Sequence, residues 1–490
     1  MIDNDHTGLK QKKRKVISDS AVLSIVEVLI RLKGIIFLPV IIATIGLDHY
    51  GVFVQILVNQ FLILSFCTLA LGMAFFRYTS QFEDNDVYNL SIDFWTVIGP
   101  SAILSLIGAA VIYVLSPIIS EQILDGLGLS SLRLSSVLVI IGVFGEQLSR
   151  YVQSRRRFKL FGLYNIAYQL GPYLGFCIGL LIKPDLFFGL QFYIGVQFVA
   201  VISLFIIVLR TIRFCLPSLS RLIKFIRYSW GLMFSWISGG LLSKIDRYFI
   251  GYFLNPAAIG IYNIIYAVAS FLDMYTVPFR KYFDVYLPKE WDSGNITKVK
   301  GQLKEGLLYY LIISVGTLAG LTLYLKPTIF FLLQKDVSYI PNFELLVFFI
   351  GIGLLCLGIS RFYDPIIKFK EVNHLKLGIL VVAVIVNAAL NYFFIPLYGL
   401  LGAAISTFFA YLIVLSFLGV LFRLNLKPVF FIKVTGMMIA TIPIYVLYRL
   451  VEVRDILSLV LCITMGITFF LLIILFLRVI NIKRLKSFFV

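Results

Sequence analysis

Apolar stretches of about 20 residues, the length that crosses a hydrocarbon core, follow one another along the chain with short polar or glycine-marked breaks between them. Fourteen such stretches are legible. The first six lie at about 22–45, 52–76, 92–115, 135–152, 160–182 and 190–209. Eight more lie at about 229–253, 257–280, 304–326, 343–366, 375–395, 401–422, 432–449 and 456–478. The pattern predicts an all-α polytopic membrane protein with 14 transmembrane helices. The stretch at 229–253 is the odd one, because Lys244, Asp246 and Arg247 interrupt it.

An even number of spans puts both termini on one side of the membrane, and the positive-inside rule says which. Of the 43 Lys and Arg, the segments between spans that would face outward hold only Arg133, Lys183, Lys326, Lys335, Arg449 and Arg454. Most of the others crowd the opposite side, as in Lys10 to Lys15, Arg155 to Lys159, and Arg210 to Arg227. Both termini are therefore expected in the cytoplasm. Adding or dropping one span midway would scramble the asymmetry, so it supports the count too.

Composition then closes off other classes. The chain of 490 residues is 60% hydrophobic and only 14% charged, where a soluble domain carries about a quarter charged residues. Its mean hydropathy of +0.96 makes lipid the solvent for most of the chain and excludes a soluble enzyme. A net charge of +18 would suggest nucleic acid in a soluble protein. Here it reports cytoplasmic loops, and no nucleic-acid partner is expected. Cys67, Cys177, Cys215, Cys356 and Cys462 form no CxxC and read as small apolar residues. The basic patch Lys10 to Lys15 precedes a run broken by Glu27, Arg31 and Lys33 that has no cleavage site, so no signal peptide is expected and the first helix stays.

A repeat organises the spans. The loop Ile45-Gly46-Leu47-Asp48-His49-Tyr50-Gly51-Val52-Phe53 corresponds to Leu254-Asn255-Pro256-Ala257-Ala258-Ile259-Gly260-Ile261-Tyr262, with Gly51 matching Gly260 at an offset of 209. Spans one to six and seven to twelve thus read as two copies of one orientation, related by an axis along the membrane normal as in two-halved transporters. The expected divisions are a basic N-terminus (1–21), an N-terminal six-helix bundle (22–209), a linker (210–228), a second six-helix bundle (229–422), helices thirteen and fourteen (432–478), and a cytoplasmic tail (479–490). In the linker, Leu219, Leu222, Ile223 and Ile226 recur at helical spacing opposite Ser220, Arg221, Lys224 and Arg227. That pattern predicts an amphipathic helix lying in the cytoplasmic interface, chiefly as a tether.

No catalytic constellation is present: there is no HExxH, GxSxG, Walker A or DxDxDG pattern, and His6, His49 and His374 are scattered. No enzyme activity, metal or cofactor is expected, and without a phosphate-binding loop transport must be driven by a gradient or by the substrate's own energetics. Chemistry is carried by charges inside the spans. A charge at a helix centre costs ~2.5–3.5 kcal/mol on insertion scales, so such residues face protein or a wet cavity. Glu27 with Arg31, and Glu146 with Arg150, are i,i+4 pairs that neutralise each other. Arg150, Arg280, Arg361 and Asp364 lie near enough to the inner end to snorkel. Arg31, Lys33, Lys244 and Arg247 lie too deep for that and outnumber their acidic neighbours, which makes them the candidate anion-binding set. Glu27, Asp246 and Asp273 are the candidate ion-coupling carboxyls. Gly171, Gly175 and Gly179 make a packing stripe, Pro39, Pro172 and Pro278 mark kinks, and Asn59, Asn165, Gln169, Gln197, Asn263, Asn387 and Asn391 read as bridges between helices.

The stretch from Phe37-Leu38-Pro39 to Tyr50-Gly51, and Leu242-Ser243-Lys244-Ile245-Asp246-Arg247-Tyr248-Phe249-Ile250-Gly251 running into Pro256 to Tyr262, resembles the bacterial Wzx-type polysaccharide flippases. These export O-antigen or capsule repeat units and belong to the multidrug/oligosaccharidyl-lipid/polysaccharide superfamily. The resemblance implies two six-helix bundles in a V plus two extra C-terminal helices, placed in the bacterial inner membrane. It also implies alternating access that moves an undecaprenyl-diphosphate-linked oligosaccharide to the outer leaflet, with a cationic cavity formed here by Arg31, Lys33, Lys244 and Arg247. Partners would be that lipid-linked oligosaccharide, membrane lipids, and a polysaccharide polymerase and glycosyltransferases. A cation-coupled multidrug exporter and a peptidoglycan-precursor lipid flippase remain as alternatives, the former disfavoured by spans thirteen and fourteen.

Overall fold

The computed structural model describes residues 36–80, 86–333 and 340–477, together with 26, 29–30, 32–34 and 479. The described residues form helices and no strand. Hydrocarbon offers no partner to a backbone N–H or C=O, so each apolar segment satisfies its own groups by coiling. In chain order the helices are α1 (Leu38–Cys67), α2 (Leu71–Thr79), α3 (Val87–Ile123), α4 (Leu129–Ser154), α5 (Phe158–Gln169), α6 (Gly171–Ile182) and α7 (Leu186–Leu209). They continue as α8 (Leu219–Lys244), α9 (Asp246–Phe253), α10 (Pro256–Ala269), α11 (Phe271–Met274), α12 (Val277–Asp292), α13 (Ile296–Leu333) and α14 (Phe343–Ser360). After a short 3-10 turn come α15 (Asp364–Phe369), α16 (Asn373–Tyr398), α17 (Leu400–Leu421), α18 (Pro428–Ala440), α19 (Ile442–Leu450) and α20 (Ile456–Phe476).

Twelve helical stretches among the described residues are long and apolar enough to cross a membrane, and two places account for the fourteen expected. The first is Gly46, which sits inside α1 with φ +76° and ψ 177°. A Cβ there would meet nothing within 4 Å, so the backbone conformation alone calls for glycine and parts the first span from the second. The second is α8 with α9, which is helical over 219–253 but too charged to count by apolarity. Breaks elsewhere follow proline. Pro39, Pro172 and Pro278 each fall in the first two positions of a helix, where a missing N–H costs nothing because no intrahelical acceptor awaits it.

Contacts divide the chain between Ile261 and Tyr262. In the N-terminal unit, Leu71, Phe75, Phe94, Tyr151, Val201 and Phe225 share one buried cluster, so the start of α8 is packed into this unit. The residues expected to form a separate interfacial linker helix are therefore corrected: 219–228 are the first turns of the same helix that carries Lys244. The cause is visible at Arg221, which pairs with the buried Asp93 at 2.8 Å and also donates to the Asn89 side chain at 2.6 Å. The glycine stripe is a packing face, as expected. A Cβ on Gly175 would come within 2.9 Å of the Phe192 carbonyl of α7, and one on Gly179 within 3.0 Å of Gly189.

In the C-terminal unit, α14 packs on α17 and α16 on α17. The last two spans, α18 with α19 and then α20, lean on α13. α20 begins with a capping box in which Asp455 accepts from the Ser458 amide and Ser458 returns the bond. That amide, first among its causes, holds the Asp455 carboxyl below the usual carboxylate range.

Candidate functional site

The site is built at the break between α8 and α9. At Ile245 the i→i−4 ladder tightens, with the Tyr248 amide bonding the Ile245 carbonyl at 3.1 Å. Asp246 takes up a freed donor: its Oδ1 accepts the Arg247 backbone N–H at 3.0 Å. The same oxygen accepts the Arg247 Nη1 at 2.6 Å, and that nitrogen also donates to the Ser243 carbonyl at 2.7 Å. Both side chains are all but sealed, at 1% and 3% exposure. In so dry a place each ion is costly alone, and the pair persists because the carboxylate, the Arg247 Nη1 and the backbone engage one another. Sequence reading put Asp246 with ion coupling and Arg247 with anion binding; the geometry joins them in one ion pair.

Lys33 and Lys244 are held differently. The Lys33 ammonium lies 4.9 Å from the centre of the Tyr173 ring and donates to the Gln169 carbonyl at 3.4 Å. Lys244 lies 4.9 Å from the centre of the Phe61 ring. Among the described residues neither has a carboxylate in salt-bridge contact, and the charges of Arg247, Asp246 and Lys33 all act on Lys244. A desolvated cation–π contact contributes about 2 kcal/mol, less than the several kcal/mol that desolvating an ion costs. The two ammonium groups are thus positioned without being neutralised.

Around them runs a polar and aromatic wall. Asn59 on α1 accepts from Gln55 at 2.9 Å and from the Tyr248 hydroxyl of α9 at 2.6 Å, a bridge between helices as expected. Asn165 with Gln169, and Asn387 with Asn391, instead pair along their own helices. Tyr173 sits among Phe37, Phe53 and Tyr193, with ring centres 5.6 to 6.0 Å away. Sequence reading missed Tyr173 and Phe61. The available signal was weak: Tyr164, Tyr168 and Tyr173 line a span that also holds Gln169, but nothing local says which ring faces a lysine.

The remaining candidates fall elsewhere. Arg31 and Glu27 lie outside the described residues. Asp273, in the C-terminal unit, is 3.4 Å from the Arg361 Nε, and Asp364 is 2.6 Å from Lys376. Glu146 and Arg150 form their i,i+4 pair at 3.7 Å. Among the described residues no group of His, Cys, Asp and Glu is placed to hold a metal ion. The two loops matched by the repeat meet each other within the N-terminal unit. A Cβ on Gly51 would overlap the Pro256 carbonyl, and one on Gly260 would stand 3.0 Å from the Leu47 carbonyl.

The fold has solved relatives. The chain is similar to the lipid II flippase MurJ in an inward closed conformation, with 16% identity and a TM-score of 0.70 over 92% of this chain and 98% of that one. It is similar to the MATE multidrug transporter DinF-BH, with 13% identity and a TM-score of 0.63 over 84% and 96%. An inward-facing multidrug resistance MATE family transporter of the MOP superfamily gives 11% identity and 0.62 over 82% and 98%. At such identities the likeness is one of fold. No curated protein matches the sequence. The family model described as polysaccharide biosynthesis protein matches residues 16–281, a stretch that takes in most of the N-terminal unit, including the ion pair of α9. With that match spanning more than half of a multi-pass, all-helical chain, the protein belongs to the polysaccharide biosynthesis protein family.

Proposed function

We propose that this protein is a flippase that carries an undecaprenyl-diphosphate-linked oligosaccharide from the cytoplasmic to the outer leaflet of the bacterial inner membrane by alternating access, for surface polysaccharide synthesis. The observation that carries this reading is the pair Lys33 and Lys244, two ammonium groups that lie over rings and have no described carboxylate in salt-bridge contact. A diphosphate and its sugars cannot cross hydrocarbon unsolvated. Two such cations, with Arg31 and Arg247 beside them in the sequence, supply the charge-assisted hydrogen bonds that a diphosphate needs. The tail stays in lipid.

A multidrug exporter fits less well, because its substrates need no fixed pair of cations. The MATE structures also cover 84% and 82% of the chain against 92% for the flippase, a difference about the size of the last two spans. Ion coupling is assigned to Glu27, Asp246 and Asp273. The two described carboxylates are engaged by Arg247 and Arg361, so Glu27→Gln is the variant expected to lose gradient dependence in vesicles while still binding substrate. Both termini are placed in the cytoplasm. Cysteines at Ser130 and Ser293, both exposed, should label with an impermeant reagent from outside and inside respectively, and labelling of both from one side would sink that topology.

The test of the whole reading is export. In cells lacking the native protein, Lys33→Ala and Lys244→Ala should insert normally and leave lipid-linked repeat units on the cytoplasmic side. Wild-type export by both would remove the anion site from the reading.

A further inference from the structure

A cationic cavity lies in the C-terminal unit, where the first turns of α13 face the start of α18. It encloses about 490 Å³ and is lined by Lys298, Lys304, Glu305, Tyr309, Phe430 and Lys433 among others. Lys304 and Lys433, and Lys300 one turn before Lys304, are held by backbone. Lys300 donates to the Arg423 carbonyl at 3.2 Å, Lys304 to the Asn425 carbonyl at 2.9 Å, and Lys433 to the Val479 carbonyl at 3.0 Å. A carbonyl occupies one of the three donors of an ammonium and neutralises none of its charge. Lys298 is engaged by Glu290 at 2.5 Å, and Glu305 accepts from the Tyr309 hydroxyl at 3.1 Å. Lys304 meanwhile feels the like charges of Lys300 and Lys427. The cavity therefore gathers positive charge that its own carboxylates do not balance.

The turn of α18 that lines it also bears exposed apolar side chains. Val429, Phe431 and Ile432 on α18 are 59%, 59% and 68% exposed, as befits side chains that touch acyl chains. This end of α13 is the one that the distribution of Lys and Arg assigns to the cytoplasmic interface, where anionic headgroups are drawn to basic pockets between helices. We propose that this cavity binds the headgroup of an anionic diacyl phospholipid of the inner leaflet, with Lys304 and Lys433 as the phosphate ligands and α18 as the bed for its chains. The site is separate from the one proposed for the transported lipid, and its test does not read export.

The experiment is native mass spectrometry of the full-length protein in detergent, titrated with phosphatidylglycerol and, in parallel, with phosphatidylcholine of the same chains. Wild type should retain phosphatidylglycerol preferentially. The K304Q/K433Q double variant should lose affinity by about thirtyfold, the consequence of removing two cations at a membrane surface. K304R/K433R should keep it, which separates charge from damage to the fold. Equal retention of both lipids by wild type, or phosphatidylglycerol binding unchanged in a folded K304Q/K433Q protein, would overturn the site. Displacement of the lipid by inorganic phosphate at equal concentration would overturn the lipid assignment in favour of a free-phosphate site.

Discussion

The two units treat the charges buried in their spans in opposite ways. In the C-terminal unit, Asp273 stands against Arg361 and Asp364 against Lys376. In the N-terminal unit Asp246 and Arg247 close on each other, yet Lys33 and Lys244 are left to aromatic faces. Neutral pairs hold helices in register and ask nothing of a ligand. Uncompensated ammonium groups do, because only an anion can complete them. The two units therefore have different electrostatics, and the diphosphate binding proposed for the transported lipid is assigned to the N-terminal one.

The strongest way to break that contrast is to remove Asp246, the one carboxylate among the described residues of the N-terminal site. Asp246→Ala removes the carboxylate that Arg247 contacts at 2.6 Å in a sealed place and also frees the backbone amide that Asp246 accepts. The expected loss is about 3–5 kcal/mol, read as a large fall in melting temperature or as failure to accumulate. An Asp246→Ala protein as stable as wild type would show that the pair carries no structural load.

A more direct test of the contrast compares neutralisations. Lys244→Ala should cut export or substrate affinity by about 10- to 100-fold, the worth of a hydrogen bond to a charged group, with melting temperature little changed. The C-terminal double neutralisation Asp273→Asn with Arg361→Gln should leave affinity near wild type. Comparable losses from both would mean that both units hold substrate. Lys244→Arg should retain more function than Lys244→Ala, since charge survives although the geometry changes.

Smaller in effect is Gly51→Ala, which forces the two repeat loops apart at the Pro256 carbonyl. It should cost about 1–3 kcal/mol and show in thermal unfolding. Because Gly51 touches no charge, any loss of export should track the loss of folded protein. The smallest effect is expected at Asp455. Its carboxyl is held low by the Ser458 amide, so its contribution is present at neutral pH and lost as pH falls through the folded-state value. Asp455→Ala should thus lower the melting temperature slightly at pH 7, and the gap from wild type should close in acid. A gap that does not shrink at all as pH falls below the ordinary carboxylate value of about 4 would mean that the cap is not electrostatic.

The sequence by itself determined the class of molecule, because hydrocarbon admits few backbone solutions and apolar runs of spanning length are legible one by one. It also determined the breaks at Pro39, Pro172 and Pro278 and the glycine stripe, all properties of local spacing. Pairing was another matter. Whether Lys244 would find Asp246, Arg247 or a ring depends on how α8 breaks at Ile245, and residues two apart point to different faces of any helix that does not break. The meeting of Lys33 with Tyr173, far along the chain, and of Gly51 with Pro256 was likewise decided only when the helices packed. The sequence also predicted an interfacial amphipathic helix within the 210–228 linker, since its polar arc faced nothing visible in one dimension. Tertiary structure supplied the buried Asp93 that Arg221 required, and with it the reason that α8 runs unbroken from the interface to the site.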